Sequence, residues 1–162
     1  MNEDPEIWLR TAEPGWVEIE NQDLIISESF VSGKDRPISV RYFGTEDKAL
    51  RAKVIFGPGT QGPPGCAHGG SMAAVLDEIM AFAVWHTGCA AMSTELRVYY
   101  RKMLPIPRRC IAEARIDRVA GRKVHTVAQL RDASSDKVYA EGEGMFLEFV
   151  DRSSLTSSNS AG

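Results

Sequence analysis

The period of the apolar positions changes twice along this chain, and each change marks a new kind of element. Residues 38–43 and 50–56 are short runs rich in Val, Ile, Tyr and Phe on either side of Gly44-Thr45-Glu46-Asp47, which predicts two strands joined by a turn. Residues 57–65 hold too much Gly and Pro to be anything but a loop. Met72-Ala73-Ala74-Val75-Leu76 and Ile79-Met80-Ala81-Phe82-Ala83-Val84-Trp85 are apolar on every side of a 3.6-residue period, the mark of a buried helix, with Gly88 as its C-cap. Met92, Thr94, Leu96, Val98 and Tyr100 then alternate with Ser93, Glu95, Arg97, Tyr99 and Arg101, a long strand with two distinct faces. Pro105-Ile106-Pro107 breaks it, and residues 110–119, 122–131 and 138–150 read as three further strands with turns at Ala120-Gly121 and Ser134-Ser135-Asp136.

Two strands, one buried helix and four strands make an α+β fold. Short turns after Gly88 predict that the last four strands run as an antiparallel meander, a curved sheet wrapped around one long central helix. One curved sheet covers only part of such a helix, so a second copy of the chain is expected against it. Residues 37–150 form this domain. Residues 1–36 are an N-terminal segment with a short helix near Pro5 to Arg10 and then loops, and the Ser-rich residues 151–162 are expected to be a disordered tail.

Inside the apolar helix stand two adjacent carboxylates, Asp77 and Glu78, and at its mouth His68-Gly69-Gly70. Desolvating a carboxylate costs several kcal/mol, on the order of 2 pKa units or more, unless it is hydrogen-bonded, paired or engaged in chemistry. Glu78 lies about 100° around the helix from Asp77 and reads as an ion-paired or interface residue.

The chain has 162 residues, 43% of them hydrophobic, enough for one domain with a sizeable core. Cys66, Cys89 and Cys110 are odd in number and lack CxxC spacing, so no disulfide framework and a reducing, cytoplasmic compartment are expected. The acidic start does not resemble a secretory leader, and the central acids argue against a membrane span in the apolar run. A net charge of −3 hides a polarised chain: residues 97–131 carry ten Arg and Lys against Glu113 and Asp117. Such a segment is either the solvated face of strands or a patch for a phosphate-bearing ligand. Nucleic acid is disfavoured, because aromatic residues among these cations stop at Tyr99 and Tyr100. There is no G-x-S-x-G elbow and no P-loop. His68, His86 and His125 lack metal-ligand spacing, so no metal is expected.

His68-Gly69-Gly70 followed by Asp77, then Ser93-Thr94-Glu95-Leu96-Arg97-Val98-Tyr99-Tyr100-Arg101 and the Gly121-Arg122 turn, resemble the hotdog-fold acyl-CoA thioesterases of the phenylacetyl-CoA (PaaI) and THEM-like branch. The resemblance covers roughly residues 50–149. It implies a backbone N–H of Gly69, with Gly70 as the alternative, on the thioester carbonyl; Asp77 as general base or nucleophile; and Ser93 as the hydroxyl that orients water or carboxylate. His68 anchors the loop or the helix start. By the same resemblance Arg101, Lys102, Arg122 and Lys123 lie near the phosphates of coenzyme A, which belongs to the substrate, so no separate cofactor is implied. The pattern departs upstream, where some relatives place Asn and this loop offers Gln61 and Gly62. Self-association as a dimer or a dimer of dimers is expected. The alternatives are an acyl-thioester hydratase or dehydratase on the same fold, and a non-catalytic acyl-CoA-binding protein.

The chemistry agrees with the resemblance. Thioester hydrolysis needs a base for water and N–H donors where the carbonyl oxygen becomes negative, and a helix N-terminus preceded by Gly supplies such donors. Eight residues at a rise of about 1.5 Å put Gly69 and Asp77 about 12 Å apart on one helix, too far to serve one carbonyl. The two halves of the site are therefore expected to come from different subunits.

Overall fold

The computed structural model describes residues 4–19, 29–33 and 35–149. Helix α1 (Pro5–Arg10) opens on Asp4, whose carboxylate accepts the Glu6 N–H at 2.8 Å. A three-residue strand, β1 (Trp16–Glu18), follows where the sequence reads as loop, because three residues are too few to display a period. Then come β2 (Ile38–Thr45), β3 (Leu50–Phe56), a single 3-10 turn (Pro58–Thr60), α2 (Gly69–Trp85), β4 (Ala91–Tyr100), β5 (Arg108–Ala120), β6 (Lys123–Asp132) and β7 (Val138–Glu148). Residues 150–162, including the expected tail, lie outside the described residues.

All seven strands form one antiparallel sheet in the order β1-β2-β3-β5-β6-β7-β4. The expected four-strand meander holds only for β5, β6 and β7. Strand β4 pairs with β7 instead of β5 and occupies the far edge, and the seven residues 101–107 carry the chain back across two strands to β5. That return is pinned to the Gly-rich loop by Ala67 N–H to Leu104 O at 2.8 Å and Ile106 N–H to Gly65 O at 3.0 Å. It therefore passes beside the start of α2.

Helix α2 lies on the inner face of the sheet and buries Met72, Val75, Leu76, Ile79, Met80, Phe82 and Val84 against inward residues such as Val54, Phe56, Ala112, Leu130 and Phe146. The sheet curls far enough that its second and last strands touch adjacent residues of the helix: Tyr42 of β2 donates to Glu78, and Ser93 of β4 reaches Asp77. Val31, from the short described stretch 29–33, adds to this core. The helix ends at Trp85 with His86 at the C-cap, earlier than the expected stop at Gly88; tightening turns bring the chain to Gly88, whose φ of +85° reverses it. The outer face is covered at β2, β3 and β5 by the N-terminal segment. There Lys53, 1% exposed, is held by Glu13 at 2.7 Å and by the carbonyls of Trp8 and Thr11.

Candidate active site

The Gly69 end of the site is built by local backbone geometry. His68 sits at the N-cap of α2, and its Nδ1 accepts the Gly70 N–H at 2.8 Å. His68 is thus an anchor of the helix start, and the Gly70 N–H, the alternative oxyanion donor, is occupied by it. The loop before it is stitched shut by His68 N–H to Thr60 O at 2.7 Å and Gly62 N–H to Cys66 O at 2.9 Å. Gly62 leaves no room for a side chain, since a Cβ there would stand 2.8 Å from the His68 Cα, and Gln61 uses its Oε1 to accept the Gly65 N–H. Gly62 therefore cannot carry a side chain in the place where some relatives have Asn, and the Gln61 oxygen is engaged within the loop.

Gly69 is the first residue of the helix, so its N–H has no partner within the helix. The ring of Tyr100 lies against it: a Cβ on Gly69 would meet the ring at 3.2 Å, and the Tyr100 hydroxyl donates to the Gly69 carbonyl at 2.9 Å. Around this contact opens a cavity of about 340 Å³, lined by Cys66, Met72 and Met103 on its apolar side and by Arg101 and Lys102 on its charged side. Tyr100 stood in the sequence as one apolar position of a strand, and no signal there paired it with Gly69.

The Asp77 end is built by burial and by one irregularity in a strand. Asp77 is half-buried on α2, its Oδ1 is shielded from solvent, and that oxygen accepts no hydrogen bond among the described residues. Burial pushes its pKa above the usual carboxylate value; a hydrogen bond from Ser93 opposes this, and the neighbouring charge of Glu78 adds to it. Strict alternation would put Ser93 on the face of Glu95 and Arg97, which points away from the helix. A β-bulge between Ser93 and Glu95 reverses it, so that Ser93 stands opposite the inward Phe146 while Glu95 and Arg97 stand opposite Met145 and Glu143. The extra residue, Thr94, gives its hydroxyl to Met145 O at 3.1 Å. Of the two roles expected for Glu78, ion-paired or interface, no ion pair forms among the described residues; its carboxylate accepts hydrogen bonds from Ser29 Oγ at 2.6 Å and from the Tyr42 hydroxyl.

The basic residues divide. Arg101 and Lys102 adjoin Gly69, whereas Arg122 and Lys123 lie at the other end of the sheet: Tyr100 pairs with Ala140 and Lys123 with Leu147, seven residues along β7 or about 23 Å. Within one chain the two pairs are therefore far apart. The basic segment is also less bare than its composition suggests. Arg101 pairs with Glu141 at 2.6 Å, Arg97 with Glu95 and Glu143, Arg108 with Asp132, and the Arg122 guanidinium donates to the carbonyls of Glu148 and Phe149. Strand pairing supplies acids that the linear stretch lacks.

No three His, Cys, Asp or Glu side chains come together as metal ligands among the described residues, and no helix among them is long and apolar enough to cross a membrane. Cys66, Cys89 and Cys110 are free thiols.

Residues 64–139 match the family model described as the thioesterase superfamily. The chain is 28% identical over 120 residues to the human acyl-coenzyme A thioesterase THEM5, an alignment covering 73% of this chain and 47% of that protein. The chain spans about half the length of the curated relatives it matches. Among solved structures, a thioesterase superfamily protein superposes with a TM-score of 0.68 at 30% identity, covering 74% of this chain and 62% of the other. The PaaI protein of the E. coli phenylacetic acid degradation operon superposes with a TM-score of 0.64 at 12% identity, covering 69% and 80%, which speaks for the fold alone. The helix and the sheet around it have the hotdog fold, and residues 64–139 within it match the thioesterase superfamily.

Proposed function

We propose that this chain is an acyl-CoA thioesterase, hydrolysing an acyl-CoA thioester to a free acid and coenzyme A at a site shared between two subunits. The observation that carries the reading is the Asp77 carboxyl: it interrupts an otherwise apolar helix, is half-buried, and keeps a shielded Oδ1 without a hydrogen-bond donor. A structural carboxylate in that position would be fully bonded, as Asp132 is by Arg108, Ser134 and Tyr139.

In the proposed reaction the thioester carbonyl rests on the Gly69 N–H at the positive end of α2, with the acyl portion in the apolar part of the cavity. Asp77 takes a proton from water as the water oxygen attacks the thioester carbon, or attacks that carbon itself to give an acyl anhydride that water then cleaves to the free acid and the Asp77 carboxylate; Ser93 holds the carboxylate in line. The negative charge gathers on the carbonyl oxygen at Gly69, and collapse of the adduct expels the coenzyme A sulfur, which regains a proton.

Self-association supplies the missing proximity. Strand β4 is the exposed edge of the sheet, and Met92, Leu96 and Tyr100 on it are 56%, 40% and 52% exposed. Two β4 strands paired antiparallel about a two-fold axis bring the Tyr100 end of one, with its Gly69, beside the Ser93 end of the other, with its Asp77. The same operation brings the Arg122 and Lys123 end of one subunit toward the Arg101 and Lys102 end of its partner, so both basic pairs face one coenzyme A. The test is thiol release from short-chain, long-chain and aromatic acyl-CoAs by wild type and Asp77→Asn. Release by wild type and its loss in the variant support the reading; a wild type inert on every class, or an unimpaired variant, overturns it.

A further inference from the structure

Two carboxylates adjoin on α2, and only Asp77 is used above. Glu78 is held from two directions: Ser29 Oγ donates to its Oε2 at 2.6 Å, and the Tyr42 hydroxyl donates to its Oε1. Tyr42 is 3% exposed, and burial, with Glu78 next in weight, pushes its pKa well above that of an ordinary phenol. It therefore stays protonated at every working pH and acts on Glu78 only as a donor. Both carboxylate oxygens of Glu78 thus receive a hydroxyl donor.

We propose that Glu78 is a positioning residue for the Asp77 base: a carboxylate fixed by Tyr42 and Ser29 at the next position of the helix, which tunes Asp77 as the acceptor of a proton from water. The inference rests on the reading of Asp77 as base. Hydroxyl donors suit this role better than a cation would, because they hold Glu78 without cancelling the charge that Asp77 feels. The groups around the pair are few. Toward α2 the strands present Tyr42 from β2, Cys110 from β5 and Glu148 from β7 as inward titratable groups, with Tyr139 committed to Asp132; Cys110 is pushed up to about 12 by burial and is uncharged. Beside burial, Ser93 and Glu78 act on the Asp77 carboxyl among the described residues.

The test is the acid limb of the kcat/KM profile, where activity disappears as Asp77 takes up its proton. Glu78→Gln keeps the shape and one oxygen that accepts from Tyr42 or Ser29, puts an amide NH2 in place of the other oxygen, and removes the charge. The limb should then move to lower pH, by about half a unit or more, while Glu78→Asp, which keeps the charge, should leave it near the wild-type position. A role in packing alone would change the melting temperature and leave the limb where it is. Should Glu78→Gln fail to fold, the double variant Tyr42→Phe with Ser29→Ala frees the carboxylate to turn away and should move the limb the same way by less. An unmoved limb in folded enzyme overturns the inference. If Asp77→Asn is inactive while the limb stays put, Glu78 alone has been misread; if Asp77→Asn is active, the base has been.

Discussion

The two ends of strand β4 hold the two halves of the proposed site, and they are built by opposite means. At the Tyr100 end the chemistry comes from main chain: a capped helix start, a glycine under an aromatic ring, and a loop stitched by hydrogen bonds that span few residues. At the Ser93 end it comes from burying one carboxyl and turning one hydroxyl toward it by a bulge. The first half is rigid and cheap to keep. The second opposes stability, since a desolvated carboxylate is a liability to the fold.

The largest effect should follow from breaking the buried half. Asp77→Asn should lower turnover by about two to four orders of magnitude, read by thiol release, with the circular dichroism of the folded protein unchanged. The same variant should be the more stable protein at neutral pH. The folded-state pKa of Asp77 is raised, so the native chain binds its proton more tightly than the unfolded one; stability attributable to Asp77 grows as pH falls through that value and is lost as pH rises through it. Wild type minus variant melting temperature should therefore become more negative from acid to neutral pH.

The main-chain half should break almost as severely. Gly69→Pro removes the N–H at the first helical position, where Pro is tolerated by the backbone and where His68, with ψ of 138°, already has the conformation that a following Pro prefers, although the Tyr100 ring, 3.2 Å from the new Cβ, must give way. Turnover should fall by about two to three orders of magnitude. The two lesions then test whether the halves belong to different subunits. A purified heterodimer of Asp77→Asn with Gly69→Pro should regain about half of wild-type activity, because one site carries both lesions and the other neither. A folded heterodimer as inactive as its parents would place donor and base in one chain.

Smaller effects should come from the supports. His68→Ala removes the N-cap acceptor and should destabilise the protein by about 1 kcal/mol in a denaturant titration, with His68→Asn recovering most of it. Arg122→Ala with Lys123→Ala should raise KM for acyl-CoA, more at low salt than at high, with kcat little changed. Unchanged KM across that salt range would return both residues to the solvated surface.

How much of this was legible in the sequence follows the same division. The helix, its apolar girth, the two carboxylates within it and His68 at its mouth were all readable, because helix period and capping chemistry act over four or five residues. The place of β4 was not: adjacency in the chain favours β5 as its neighbour, and the pairing with β7 is decided by which edge the sheet offers after α2 has crossed it. The partners of the basic segment were hidden for the same reason, since Glu141 and Glu143 reach Arg101 and Arg97 only across a ladder.

Sequence by itself determined the elements, the apolar inner face and the residue types that the chemistry needs, because local propensity and periodicity are properties of neighbours along the chain. Tertiary structure alone decided that Ser93 faces Asp77, that Tyr100 covers Gly69, and that Tyr42 and Ser29 hold Glu78. Each of these contacts joins residues 16 to 49 positions apart, and the first depends on a bulge that inverts the alternation a sequence displays. Such contacts are selected by how the whole sheet curls around the helix, where the free energy of burying α2 outweighs the preference of any single strand.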